Sequence, residues 1–170
     1  MKLDDICKTA IAPAFALLPA RMHTAQAVLV MLAIQQQEAP NQEQHQIGGP
    51  AVGIWQFEEG GGIAGVLRHP SSRPYALSVC KALGVEPTKE AVYAALQSAE
   101  DVLDAAFARL LLWTDASPLP ALGDVTGAWQ LYLRTWNPGA HSRGSAKQRA
   151  SLRRKWSINY AKALETMVSQ

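Results

Sequence analysis

The ten residues Ala25-Gln26-Ala27-Val28-Leu29-Val30-Met31-Leu32-Ala33-Ile34 most constrain this chain, because nine of them are apolar. A helix on a protein surface carries one apolar stripe, whereas a helix that is apolar all round is buried on most sides. Thr24 supplies a side-chain oxygen to cap the start. Pro40 disfavours helical backbone at Ala39. The pattern therefore predicts a helix from Ala25 to about Glu38 that lies inside the protein, with the other elements wrapped around it.

Those other elements also read as helices. A first helix is expected near 3–18, kinked or restarted at Pro13. Ser71 to Leu83 forms another, with Gly84 suited to its C-terminal cap. Thr88 opens one to about Gln97, and Ser98 is placed to cap the next, with Asp101 three residues on, ending near Trp113. A helix from about Asp124 to Trp136 stops at Asn137-Pro138-Gly139. The last runs from about Ala146 to Val168, where Leu152, Trp156, Tyr160, Ala163, Leu164 and Met167 make one stripe at helical spacing. Strand signals are few. The class is mainly α, in a single domain over 1–170, with at most a small β-hairpin near 47–57 and an extended piece from Ala51 to Phe57.

With 170 residues, 48% hydrophobic and 18% charged, the chain can bury a core and is not of disordered type. Cys7 and Cys80 are too few and too far apart for a disulfide framework and read as buried, reduced side chains. Residues 125–170 hold eight basic groups and one acid, an excess of +7; eight basic and thirteen acidic residues precede them, giving −5. Such a basic face suits an anionic partner, nucleic acid or a cell-wall polymer, or else is simply a solvated helix face. Trp156 and Tyr160 belong to the apolar stripe, which argues against bases stacking on them. The apolar run Ile11–Ala20 is interrupted by Pro13 and Pro19 and preceded by Asp4 and Asp5, unlike a secretory signal. No stretch is long and apolar enough to span a membrane. Synthesis without a signal peptide, in the cytoplasm, is the expectation.

Glu38 falls in the last turn of the buried helix. The partial negative charge of a helix C-terminus and burial among apolar side chains both disfavour its ionised form. A carboxyl kept protonated near neutral pH is what a glycosidase needs to protonate a leaving-group oxygen. Downstream, Gly53-Ile54-Trp55-Gln56-Phe57 offers aromatic faces for sugar rings and an amide for hydroxyl or acetamido groups. Core packing is the other reading of Trp55 and Phe57. For a second carboxylate the candidates are Glu43, Glu58 and Glu59; Glu58, directly after the Trp-Gln-Phe segment, is preferred.

A buried helix ending Gln37-Glu38, a polar loop, a glycine turn and then Gly53-Ile54-Trp55-Gln56-Phe57 resembles the lysozyme-like superfamily, which includes soluble lytic transglycosylases and goose-type lysozymes. Gly49-Pro50-Ala51, Glu58, the glycine run before Gly65-Val66-Leu67, Trp136-Asn137-Pro138-Gly139 and Trp156…Tyr160-Ala161 look like lysozyme-like proteins of tailed phages and prophages. The resemblance implies a lysozyme-like helical fold and cleavage of the MurNAc–GlcNAc bond of peptidoglycan. It casts Glu38 as the acid and Trp55, Gln56 and Glu58 as substrate-binding residues, with no cofactor and no metal. Either hydrolysis or transglycosylation fits. Where the family usually has Ser after the acid, this chain has Ala39-Pro40. That departure supports the alternative of a catalytically degenerate lysozyme-like structural or glycan-binding protein.

Competing motifs are weaker. Gly60-Gly61-Gly62-Ile63-Ala64-Gly65 matches G-x-G-x-x-G, but Pro70 follows too soon for the long helix of a dinucleotide site. His23, His45, His69 and His141 form no metal pair at helical spacing, and neither cysteine lies in a nucleophile motif. His45 lies in the loop near Glu38, as a substrate contact or a solvated side chain.

Overall fold

The computed structural model describes residues 2–140 and 142–169, so His141 lies outside the described residues. The protein is mainly α, as expected. Helical turns Leu3–Ile6 (α1), Cys7–Ile11 and Ala12–Ala16 (α2) run on from one another, the middle segment in π geometry, and Pro13 sits harmlessly in the first turn of α2. After a 3₁₀ turn at Ala20–Met22 comes α3, Ala25–Glu38. Then follow α4 (Ala64–Arg68), α5 (Arg73–Leu83), α6 (Lys89–Gln97), α7 (Asp101–Trp113), α8 (Val125–Thr135) and α9 (Ala146–Val168).

Thr24 Oγ1 accepts from the amide of Ala27, and Leu29 through Gln37 are all buried. Of the other helices α9 packs most extensively against α3, and α7 also touches it. The α9 stripe packs inward as its spacing predicts: Trp156, Tyr160 and Ala163 are buried, with Leu152, Leu164 and Met167 against the same core. Centrally placed α7 is as dry as α3, since Ala105 through Ala108 and Leu110 are fully buried. It supports α2, α4, α5 and α6 as well. One continuous cluster of buried side chains links all these helices.

Two expectations are corrected. Ser98 does not cap α7; its hydroxyl bonds back to the carbonyl of Ala94 and it closes α6, while Ala99 turns the chain with φ of 62°. The segment from Ala51 to Phe57 is not extended. Val52 and Phe57 exchange both backbone hydrogen bonds, at 2.9 and 2.8 Å, around a tight loop. Gly53 and Gln56 both take positive φ, 74° and 55°, which folds the chain back on itself. Among the described residues, isolated bridges at His45–Val52 and Val52–Phe57 take the place of a hairpin ladder. No helix among them is long and apolar enough to cross a membrane. Cys80 is buried and Cys7 half-buried, and neither forms a disulfide.

Candidate functional site

The end of α3 is held by side chains that come from far away in the sequence. The last carbonyls of a helix have no intrahelical partners. Here Asn159 of α9 donates to the carbonyl of Gln36 at 3.1 Å and to Gln37 Oε1 at 2.9 Å. Lys155 Nζ donates to the carbonyl of Gln37 at 2.7 Å. Gln35 bridges the break by donating to the carbonyl of Ala39 at 2.6 Å. The three consecutive glutamines are thus buried and serve to fix the helix end rather than to meet solvent.

Glu38 is the first residue of this end whose side chain reaches open space. Tyr132 of α8 donates its hydroxyl to Glu38 Oε1 at 2.8 Å. The phenol ring packs with Trp129 and Trp156 in a three-ring cluster, their centroids 5.3 and 5.0 Å from it and 5.8 Å from each other. Asn137 Nδ2 reaches the same hydroxyl at 3.4 Å. Burial pushes the Glu38 carboxyl above its ordinary range and outweighs the Tyr132 hydrogen bond and the Lys155 charge, which pull it down. With Tyr132 on Oε1, Oε2 is the oxygen on which the acid form carries its proton. Burial, and then the Glu38 charge, drive the Tyr132 phenol well above its usual range, so it is a permanent neutral donor.

Glu38 opens on a depression of about 170 Å³, shared with Glu43, His45 and Gln56. The Asn41 amide donates to the Glu43 carboxyl at 2.8 Å and is the largest cause of its lowered pKa. One wall therefore carries a carboxyl biased towards its acid form and the other a carboxyl biased towards its anion. Gln56 closes the end. Its Nε2 donates to the carbonyls of Glu43 (3.0 Å) and Gly53 (2.8 Å), which ties the polar loop to the glycine turn. Gln56 also lines a second depression of about 410 Å³, with Glu58, Trp136 and Asn137.

The turn is anchored from below by Asp104. A Cβ on Gly53 would lie 2.3 Å from Asp104 Oδ2, so both the positive φ and the contact favour glycine here. Asp104 Oδ2 accepts from the Trp55 amide at 3.3 Å. Desolvation holds this fully buried carboxyl far above its ordinary range.

Among the sequence candidates, Glu38 and Gln56 come together as expected, and His45 joins them. Trp55 is a correction. It is fully buried, and its indole donates to the carbonyl of Met31 at 2.9 Å, inside the protein. No sugar can stack on it. Trp136, whose indole donates to the carbonyl of Trp55 at 3.0 Å, is the tryptophan that lines a depression. Glu58 is exposed and borders the second depression, not that of Glu38. Glu59 pairs with Lys89 of α6 at 2.8 Å. Glu43 is the carboxyl that shares the depression of Glu38. Tyr132, Lys155, Asn159 and Asp104 escaped the sequence because their partners lie tens of residues away. Among the described residues no cluster of three or more His, Cys, Asp or Glu could hold a metal ion.

Compared with protein-family models, curated proteins and solved structures, the chain matches none.

Proposed function

We propose that this protein is a peptidoglycan-cleaving enzyme of phage or prophage type, a lysozyme or lytic transglycosylase acting on the MurNAc–GlcNAc bond. The reading rests on Glu38: a buried carboxyl at a helix end, held by a neutral tyrosine hydroxyl, biased towards its acid form and open to a depression that contains an oppositely biased carboxylate. Carboxyls whose environments drive their pKa values apart are the mark of an acid paired with a base or nucleophile. Tyr132 also supplies the hydroxyl that Ala39-Pro40 cannot.

In this scheme Glu38 Oε2 protonates the glycosidic oxygen of the leaving sugar. Gln56, with its Nε2 occupied by two carbonyls, keeps its side-chain oxygen in a fixed place to accept from a substrate N–H or O–H. The Glu38 depression is smaller than the roughly 300–1,000 Å³ that enclose a whole small ligand, so the substrate runs past the acid as a polymer would. The 410 Å³ depression beyond Gln56 offers Trp136 and Asn137 to the next sugar. Glu43 then activates water or supports the developing cation in hydrolysis. In transglycosylation the sugar's own 6-hydroxyl attacks the anomeric carbon as the leaving sugar departs, its proton passes to the Glu38 carboxylate left by the first step, and Glu43 is dispensable.

Digestion of purified peptidoglycan with mass analysis of the products tests this. Reducing-end muropeptides that vanish in Glu43→Gln mean hydrolysis; anhydro-muropeptides that persist in Glu43→Gln mean transglycosylation. A folded sample that retains glycan strands but releases nothing replaces the enzyme by the glycan-binding alternative.

A further inference from the structure

The opposite end of α3 carries a second constellation that the proposed chemistry does not use. Arg109 of α7 is only 2% exposed. Its Nε donates to the carbonyl of Met22 at 2.9 Å, but its Nη1 is buried with no hydrogen-bond partner. Desolvation alone lowers its pKa to about 10; no carboxylate stands by to offset it. A buried guanidinium without an anion is an unfavourable arrangement unless something else completes it. Arg109 is one of the residues that line a depression of about 500 Å³, with Arg21, Thr24, Trp113 and Asp115.

Apart from Asp115, these neighbours are cationic or neutral. Arg109 Cζ and Arg21 Cζ lie 5.2 and 5.6 Å from the centroid of the Trp113 ring. Arg21 is further steadied by Tyr75, whose hydroxyl accepts from its Nη2. Asp115, the one acid present, is taken by Arg134 through two bonds, of 2.8 and 3.2 Å. Thr24 is the N-cap of α3, so the positive end of a 14-residue helix faces the same space.

We propose that this depression is an oxyanion-binding site, in which Arg109 and Arg21 grip a phosphate or carboxylate group beside Trp113 at the start of α3. Guanidinium forks match both groups, and the indole gives an apolar wall to whatever carries the charge. The site lies about 20 Å along α3 from Glu38, at about 1.5 Å per residue, so it serves a ligand or ligand part separate from the bond proposed to be cleaved.

The test titrates the full-length protein with inorganic phosphate and, separately, with acetate, against sodium chloride at equal ionic strength. The Arg109 Nε–H resonance and the melting temperature are followed. A saturable shift with phosphate alone assigns a phosphate group, with acetate alone a carboxylate, and with both a general oxyanion site. Arg21→Ala should weaken binding roughly tenfold or more, while Arg154→Ala, an exposed cation on α9, should leave it unchanged. Absence of a saturable shift with either anion, or equal affinity in wild type and Arg21→Ala, overturns the proposal. Because Arg21 is exposed, its removal does not endanger the fold.

Discussion

Glu38 and Asp104 are both carboxyls raised by burial, yet their surroundings differ in one respect. Asp104 is sealed beneath the glycine turn and spends its oxygen on backbone amides, while Glu38 keeps one oxygen on a tyrosine and turns the other to a depression. A raised pKa is therefore not by itself a sign of chemistry. Desolvation makes an acid; access to a reactant makes it useful. Asp104 is the stronger case by burial and the weaker by function, because nothing can reach it.

The sharpest way to break this contrast is Glu38→Gln. If Glu38 is the acid, cleavage of peptidoglycan falls by at least the about 10²–10⁴-fold that a general acid contributes. Stability at or below the ordinary carboxyl range stays level, because the amide keeps the shape. An unimpaired rate would end the assignment. The converse holds at the sealed carboxyl. Asp104→Ala leaves buried amides unpaired and should cost about 1–3 kcal/mol in denaturant unfolding. Gly53→Ala, which drives a methyl into Asp104, should cost about 1–3 kcal/mol as well. Unfolding free energies within a few tenths of wild type for either variant would show that Asp104 is no anchor.

The pH dependence follows from the direction of the two shifts. Both folded-state values lie above the unfolded ones, so below the ordinary carboxyl range neither group opposes folding. As pH rises from that range towards the raised values, the unfolded chain loses protons that the folded one keeps, and stability declines. Asp104→Asn should flatten the decline more than Glu38→Gln, a difference that unfolding curves at several pH values resolve. At Tyr132 the expected effect is smaller. Its hydroxyl pulls the Glu38 pKa down, so Tyr132→Phe should move the alkaline limb of the activity profile to higher pH, with about 0.5–1.5 kcal/mol lost from the hydrogen bond. A limb that stays put, or moves down, means that Tyr132 does not act through Glu38. Least of all should change in Glu58→Gln, which on an exposed side chain outside the Glu38 depression is expected to alter the rate by no more than about twofold. A collapse there would restore Glu58 as the second carboxylate.

Much of this could be read without coordinates where the signal was local. The uniform apolarity of Val28 to Ile34 placed α3 inside, Thr24 and Thr88 marked helix starts, and Gly84 with φ of 68° closes α5 as its position suggested. Glu38 stood out because helix end and burial act on it within a few residues. Signals failed where a residue type suits two neighbouring roles. Ser98 can end one helix as well as begin another, and tryptophan is as good a core residue as a sugar platform. Trp55 took the core because Gly53 and Gln56 curl the loop and send the indole towards Met31. Closeness in sequence likewise favoured Glu58, whereas it is Glu43 that shares the depression of Glu38. The partners of Glu38 were illegible because Tyr132 comes 94 residues later.

That remoteness has a temporal side. The bond from Lys155 to Gln37 spans 118 residues, and those from Asn159 to Gln36 and Gln37 span 123 and 122. During synthesis the segment that ends in Glu38 emerges early, and for most of translation no α9 exists to receive its last carbonyls. Contacts so distant along the chain are among the last that a folding polypeptide can close. A nascent or truncated chain lacking α9 would hold the acid on a frayed helix end, without Trp156 against Tyr132 to aim the hydroxyl. The surroundings of Glu38 are thus complete only once α9 has been made and has docked, a delay written into the order of the helices.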